Sequence, residues 1–115
     1  MSENTGVGVG VGFCVIYRWR IRDGAEADFL DAWQQVTEEL RVTSGGLGSR
    51  VHRSDEGFWV AYAQWPSRAA WENASVESAE GLAASRLMGE LITERLDPIL
   101  LEPVVDLLAP ASGAR

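Results

Sequence analysis

The chain has 115 residues, 46% hydrophobic and 23% charged, a composition that fits one globular domain and excludes a disordered chain. A formal net charge of −7 argues against nucleic acid or an anionic membrane as partner, because phosphates repel an acidic surface. Cys14 is the one cysteine, so no internal disulfide can form; with a start (Met1-Ser2-Glu3-Asn4) lacking a basic n-region, the expected location is cytoplasmic.

Residues 1–11 alternate Gly with Val after a polar start and are expected to be a flexible tail, since Gly at every second place raises the entropic cost of ordering. From Phe13 to Ile21 a strict period of two begins. Phe13, Val15, Tyr17, Trp19 and Ile21 share one face, and Cys14, Ile16, Arg18 and Arg20 the other, which predicts a strand. Asp23 followed by Glu26 has the spacing of a capping box. Phe29, Trp33, Val36 and Leu40 then recur at helical spacing, with Asp28, Asp31, Glu38 and Glu39 expected on a solvated face. Gly45-Gly46 predicts the helix end.

Leu47–Arg53 and Phe58–Trp65 read as two strands joined by the hairpin residues Ser54-Asp55-Glu56-Gly57. Pro66 ends the second strand, and Ser67 can cap a short helix carrying Trp71. A further helix is predicted over Ala79–Leu96, with Leu87, Leu91, Ala83 and Ala84 inward. Asp97-Pro98 breaks it, and Ile99–Leu108 is expected to be the last strand, with Pro103 at a bulge or an edge. The order βαββαβ predicts an α+β, ferredoxin-like domain over 12–108, an antiparallel sheet with helices on one face, and a flexible tail over 109–115.

Phe58, Val60 and Tyr62 alternate with Trp59, Ala61, Ala63 and Trp65, so both faces of this strand are apolar. One helical layer covers one face only, so the sheet is expected to pack on a second copy and form a homodimer. Arg18 and Arg20 on the dimer face would need acidic partners, for which Glu102 and Asp106 are candidates.

The chemistry is less explicit. There is no Gly-rich phosphate loop, no Cys-x-x-Cys and no His-Glu-x-x-His, and His52 is the only histidine, so no multi-histidine metal site is expected. Five Trp in so short a chain point to an aromatic-filled core or an aromatic-lined cavity. Trp59, Ala61, Ala63 and Trp65 lie on one strand face, and the turn at Pro66 would bring Trp71 over them. Small Ala between large Trp leaves room for a flat molecule.

The stretch Tyr62-Ala63-Gln64-Trp65, with Ser67 and Trp71, set in the βαββαβ order, resembles the antibiotic biosynthesis monooxygenase family of dimeric α+β barrels. The resemblance implies a cofactor-free monooxygenase that oxidises an anthrone- or quinol-type aromatic or polyketide-like molecule with O2, using no metal, flavin or haem. It implies that Trp65 corresponds to the family's strand Trp, Trp71 to its helix Tyr, Ala61 to its strand Asn, and Arg86 lies one residue from its helix Arg. Trp65, Trp71 and Arg86 are then the candidate catalytic residues. Tyr17, Trp59, Ala61 and Asn73 are the candidate substrate-binding residues. Haem degradation, known in the same superfamily, is not expected, because Tyr17 stands at its strand Asn and Ser85 or Arg86 at its His. The alternative is a non-catalytic small-molecule-binding or sensing dimer; a third possibility is a structural dimer with a filled core.

Overall fold

The computed structural model describes residues 10–110. The expected Gly/Val tail lies outside the described residues as far as residue 9, as do residues 111–115 of the expected C-terminal tail. Eight elements follow in chain order: β1 (Phe13–Ile21), α1 (Glu26–Thr43), β2 (Ser49–Arg53), β3 (Trp59–Trp65), α2 (Arg68–Asn73), α3 (Ala79–Leu91), β4 (Ile92–Arg95) and β5 (Ile99–Leu101).

All strands join one antiparallel sheet ordered β2-β3-β1-β4, with β5 also on β1. This is the ferredoxin-like α+β arrangement that the element order predicts. β1 lies in the middle. It pairs with β3 from Phe13↔Trp65 to Trp19↔Trp59, and its other edge takes β4 near Ile21 and β5 near Cys14. The hairpin between β2 and β3 closes with Ser54 N–H on the Phe58 carbonyl at 2.8 Å and Gly57 N–H on the Ser54 carbonyl at 3.1 Å. Gly57 supplies the left-handed φ of 85° that this turn requires.

Local signals hold for some caps and fail for another. Ser67 and Ser78 cap α2 and α3, their hydroxyls accepting from Ala70 and Gly81 N–H at 3.1 and 2.8 Å. The capping box at Asp23 does not form. The chain turns over Arg22–Ala25, Ala25 N–H bonding the Arg22 carbonyl, so Ala25 becomes the N-cap of α1 and Asp23 stands outside the helix. α1 ends where expected. Gly45 takes φ 79°, and Gly46 N–H bonds the Leu40 carbonyl at 3.1 Å.

The last third differs most from the expectation. The helix predicted to Leu96 stops at Leu91, and the predicted strand Ile99–Leu108 is instead the pair β4 and β5, interrupted at Leu96–Pro98. The edge of β1 decides this. Its backbone groups need partners from Ile21 onward, and the β-branched Ile92 and Thr93 pair there more readily than they extend a helix. Pro103 and the residues to Leu108 lie beyond the sheet. Within α3 the buried residues are Gly81, Ala84 and Leu91, while Leu87 and Ala83 face outward.

The helices cover one sheet face. Trp19, Ile21, Ala25, Phe29, Ala61 and Leu91 form one buried group, and Phe13, Val15, Ala63 and Trp65 a second beside it. Fully burying a side chain such as Phe29 or Val15 contributes about 1.5–3 kcal/mol. Glu39, expected on the solvated face, instead fastens α1 to α3. Its carboxylate accepts Ser78 O–H at 2.5 Å and the N–H groups of Glu77 and Ser78 at 2.9 and 3.1 Å. The bond from the Ser78 hydroxyl, then those from the two N–H groups, hold its carboxyl below the usual carboxylate range. Gly81 is needed at this contact, since a Cβ there would collide with the Glu39 carboxylate.

The opposite face has no covering element among the described residues. Cys14 and Ile16 of β1 stand beside Gln64 and Tyr62 of β3 and beside Leu101 and Ile99 of β5. Ile99 and Leu101 are 37% and 38% exposed. Arg20 finds its acid on β4: Nε lies 3.0 Å from Glu94, and the guanidinium covers the Phe58 ring at 4.0 Å. Arg18 reaches the Asp97 carbonyl at 3.2 Å. The expected partners Glu102 and Asp106 are replaced because β4 starts at Ile92 and brings Glu94 opposite Arg20.

Candidate functional site

The alternation of β1 and β3 that builds the core also leaves a space in it. On the helix-covered face the registered pairs are Phe13 with Trp65, Val15 with Ala63, Tyr17 with Ala61, and Trp19 with Trp59. Large rings stand at both ends and small side chains between them. α1 crosses above, and the gap beneath it is a cavity of about 220 Å³. Tyr17, Trp19, Ala63 and Trp65 line it from the sheet, and Trp33, Val36, Thr37 and Leu40 from α1. Met88 of α3 closes one side; Arg41, Gly46, Gly48, Ser49, Gln64 and Arg95 complete the lining.

Two polar groups are set into this apolar wall. Tyr17 stacks on Trp19 with ring centroids 5.8 Å apart, and its hydroxyl accepts Trp71 Nε1–H at 2.8 Å. Burial raises the Tyr17 phenol above its ordinary value, and the Trp71 bond lowers it by less. The hydroxyl is therefore protonated at neutral pH, and its own O–H has no acceptor among the described residues. The second group is the indole N–H of Trp65. It is buried and has no partner among the described residues. A buried donor left unsatisfied costs about 1–3 kcal/mol; Trp65 as a residue lines the cavity, while this nitrogen itself has almost no accessible surface.

The sequence-predicted site residues divide into three groups. Tyr17 and Trp65 line the cavity. Trp71 does not roof it as expected; it lies behind, 5.6 Å from the Phe13 ring, and acts on the site through the Tyr17 hydroxyl. Ala61 and Trp59 belong to the neighbouring core. Ala61 is fully buried, and Trp59 packs on that group with Arg53 over its ring at 5.2 Å. Asn73 and Arg86 are elsewhere. Asn73 borders an open groove of about 920 Å³ beside Gln35, Glu38 and Glu39, and Arg86 is exposed on α3. The short α2 ends at Asn73 and directs it away from the sheet, which is why adjacency to Trp71 misleads.

Sequence reasoning missed Trp33, Met88, Arg41 and Arg95 as lining residues. Trp33 carried a signal, four residues after Phe29 on the apolar stripe of α1. Arg95 carried none, because its side of the sheet depends on β4. His52 stands outside the site. Its Nε2 accepts from Arg50 Nε at 2.8 Å and its Nδ1–H donates to the Val60 carbonyl, on the exposed β2 edge. Among the described residues no three His, Cys, Asp or Glu converge on a possible metal position, and no helix is long and apolar enough to cross a membrane.

The family profile described as antibiotic biosynthesis monooxygenase matches residues 12–84. No functionally curated protein matches. Among solved structures, SnoaB from Streptomyces nogalater, described as a cofactor-independent oxygenase, shares the fold with a TM-score of 0.67 at 17% identity, over 84% of this chain and 97% of that one. Rv0793 from Mycobacterium tuberculosis gives 0.64 at 22% identity, over 84% of this chain and 98% of its own. A candidate antibiotic biosynthesis monooxygenase from Bordetella bronchiseptica gives 0.67 at 22% identity, over 83% and 99%. At these identities the likeness establishes the fold.

Proposed function

This chain belongs to the antibiotic biosynthesis monooxygenase family, and from that premise we propose that it is a cofactor-independent monooxygenase acting on a small anthrone- or quinol-type aromatic in the cavity beneath α1. The observation that carries this reading is the pairing of an aromatic-walled cavity with a buried, partnerless Trp65 N–H and a protonated Tyr17 O–H.

The reaction asks for an electron-rich anion held away from water. Among the described residues no carboxylate or imidazole lines the cavity, so the substrate's acidic proton leaves to solvent, and the protein favours the ionised form by binding it. Trp65 Nε1–H donates to the oxygen that carries the negative charge, and the Tyr17 O–H, oriented by Trp71, is the second donor. Fixed donors in a low-dielectric wall stabilise such a charge without reorganising. The anion then passes electrons to O2. For an anthrone-type substrate the ring methylene becomes a carbonyl. One oxygen atom enters that carbonyl, and the other leaves as water with the two methylene hydrogens. The substrate supplies all four electrons, so no metal or organic cofactor is required by the balance. Trp71 is a positioning residue in this scheme. Ala61 gives Tyr17 room, Trp59 supports the core, and Asn73 and Arg86 have no part.

The active unit in this reading is a cytoplasmic homodimer joined through the helix-free sheet face. Support comes from the partly exposed Ile99 and Leu101, and from Val104, Val105, Leu107 and Leu108, which are 76–89% exposed. A second reading, a non-catalytic binding or sensing dimer, is favoured by the lack of a carboxylate or imidazole base in the cavity lining among the described residues. Oxygen uptake separates the two. Metal-stripped protein given an anthrone-type phenol should consume O2 saturably, and Trp65→Ala should weaken that uptake. Uptake no faster than the spontaneous rate would leave binding without catalysis as the function.

A further inference from the structure

The charges around the cavity run against those of the whole protein. The chain carries a net −7, yet among the described residues no Asp or Glu lines this space, and the only ionised lining residues are Arg41 and Arg95. Of these, Arg41 is neutralised: its Nη1 lies 2.9 and 2.8 Å from the two carboxylate oxygens of Glu38. Arg95 has no carboxylate partner among the described residues. The adjacent Glu94 is turned to the other sheet face and held by Arg20 at 3.0 Å. One uncompensated guanidinium therefore stands at an apolar cavity in an acidic protein.

Its place along the sheet is also informative. Arg95 pairs with Trp19 near one end of β1, while Trp65 pairs with Phe13 at the other. Six residues of strand put their backbones about 20 Å apart. The Trp65 and Arg95 side chains thus enter the same cavity from opposite ends, with Tyr17 between them. At about 220 Å³ the space is below the range of ~300–1,000 Å³ usual for drug-sized ligands, so its occupant is small and flat.

We propose that the ligand of this cavity is an aromatic carboxylate, its ring between Trp33 and the sheet and its carboxylate on the Arg95 guanidinium. This rests on the cavity being the ligand site and adds the chemical class of what enters it. A guanidinium presents a planar fork that matches a carboxylate, and the nearby apolar wall strengthens the pairing relative to open solvent. The reacting oxygen lies at the Trp65 end, so the carboxylate selects and orients the ligand without taking part in oxidation.

The test is calorimetric binding of 2-naphthoate and 2-naphthamide, which share a ring system and differ in charge, to the full chain and to Arg95→Gln. The account predicts that naphthoate binds about tenfold more tightly than the amide, that added salt shrinks this preference, and that Arg95→Gln removes it while leaving amide binding in place. Arg41→Gln, whose partner is Glu38, should keep most of the preference. Equal binding of acid and amide by the parent protein would overturn the carboxylate assignment and leave the ligand site standing. Binding of neither by a folded protein would overturn both.

Discussion

The two faces of the central sheet are made by the same strands with the same period, and they have different fates. On the helix-covered face, rings at Trp19, Trp65 and Tyr17 alternate with Ala61 and Ala63, and α1 spans the gap without filling it. On the bare face, among the described residues, no helix lies over Cys14, Ile16, Val60 and Tyr62; a more open hollow of about 290 Å³ borders Tyr62 and Gln64, and the Arg18 Nε is buried without a partner. The Cys14 thiol and Tyr62 hydroxyl are 3.2 Å apart, and that bond, with burial, pushes the Tyr62 phenol up to about 12. Apolar alternation therefore has two meanings in one molecule. Where large faces small under a helix it makes a container; on the open face the same period leaves the surface through which the proposed dimer would join.

The sharpest way to break this comparison is a charge on the bare face. Ile16→Glu should leave far-UV circular dichroism and cavity binding intact but convert dimer to monomer in light scattering. An unpaired buried charge costs about 3–5 kcal/mol, or on the order of 10²–10⁴ in the dimer dissociation constant. A monomeric parent protein would remove the functional distinction between the faces.

On the covered face the contrast is between packing and donation. Trp65→Phe keeps a ring but loses the orphan N–H. Turnover of an anthrone-type phenol should fall about 10²-fold, as on losing one donor to a developing oxyanion. Stability in urea should be unchanged, or raised by up to about 1–3 kcal/mol, because an unsatisfied donor has gone. Reduced stability with unchanged turnover would make Trp65 a packing residue only. Trp71→Phe is expected to act more weakly, lowering turnover about tenfold through a Tyr17 hydroxyl no longer held, with little change in ligand affinity. A change confined to affinity would contradict its positioning role.

The smallest effect concerns the frame that holds α1 over the cavity. The Glu39 carboxyl titrates below its ordinary value in the folded protein, so the unfolded chain binds its proton first as pH falls. The Ser78 and Glu77 contacts therefore stabilise the fold above the ordinary carboxylate value of 4.5 and lose that contribution as pH drops through the lowered one. Glu39→Gln should flatten the acid limb of a thermal stability–pH profile. An unchanged acid limb would show that the latch contributes nothing.

The part of this architecture readable from the chain is the part written in local periodicity. Phe13–Ile21 announced β1, its faces and Tyr17; Phe58–Trp65 announced β3 and the large–small pattern that hollows the core. The region from Leu91 to Leu101 was not readable, because helical spacing continues past the true helix end and only the hydrogen-bonding needs of the β1 edge terminate it. Arg95 was hidden for the same reason. Trp71 was legible as a site residue but not in its role, since whether it covers Trp65 or holds Tyr17 depends on the exit direction at Pro66. Asn73 and Arg86 were drawn toward the site by sequence proximity and family position, and the directions of α2 and α3 carry them away.

The most direct test of the central claim is to follow isotope-labelled O2 into product, using metal-stripped protein and an anthrone-type phenol. The account predicts one labelled oxygen atom per oxidised ring carbon, one labelled water released, and loss of this label transfer above the spontaneous rate in Trp65→Phe. Product whose new carbonyl oxygen comes from solvent water, or label incorporation that ignores the Trp65 substitution, would contradict a monooxygenase site in the cavity beneath α1.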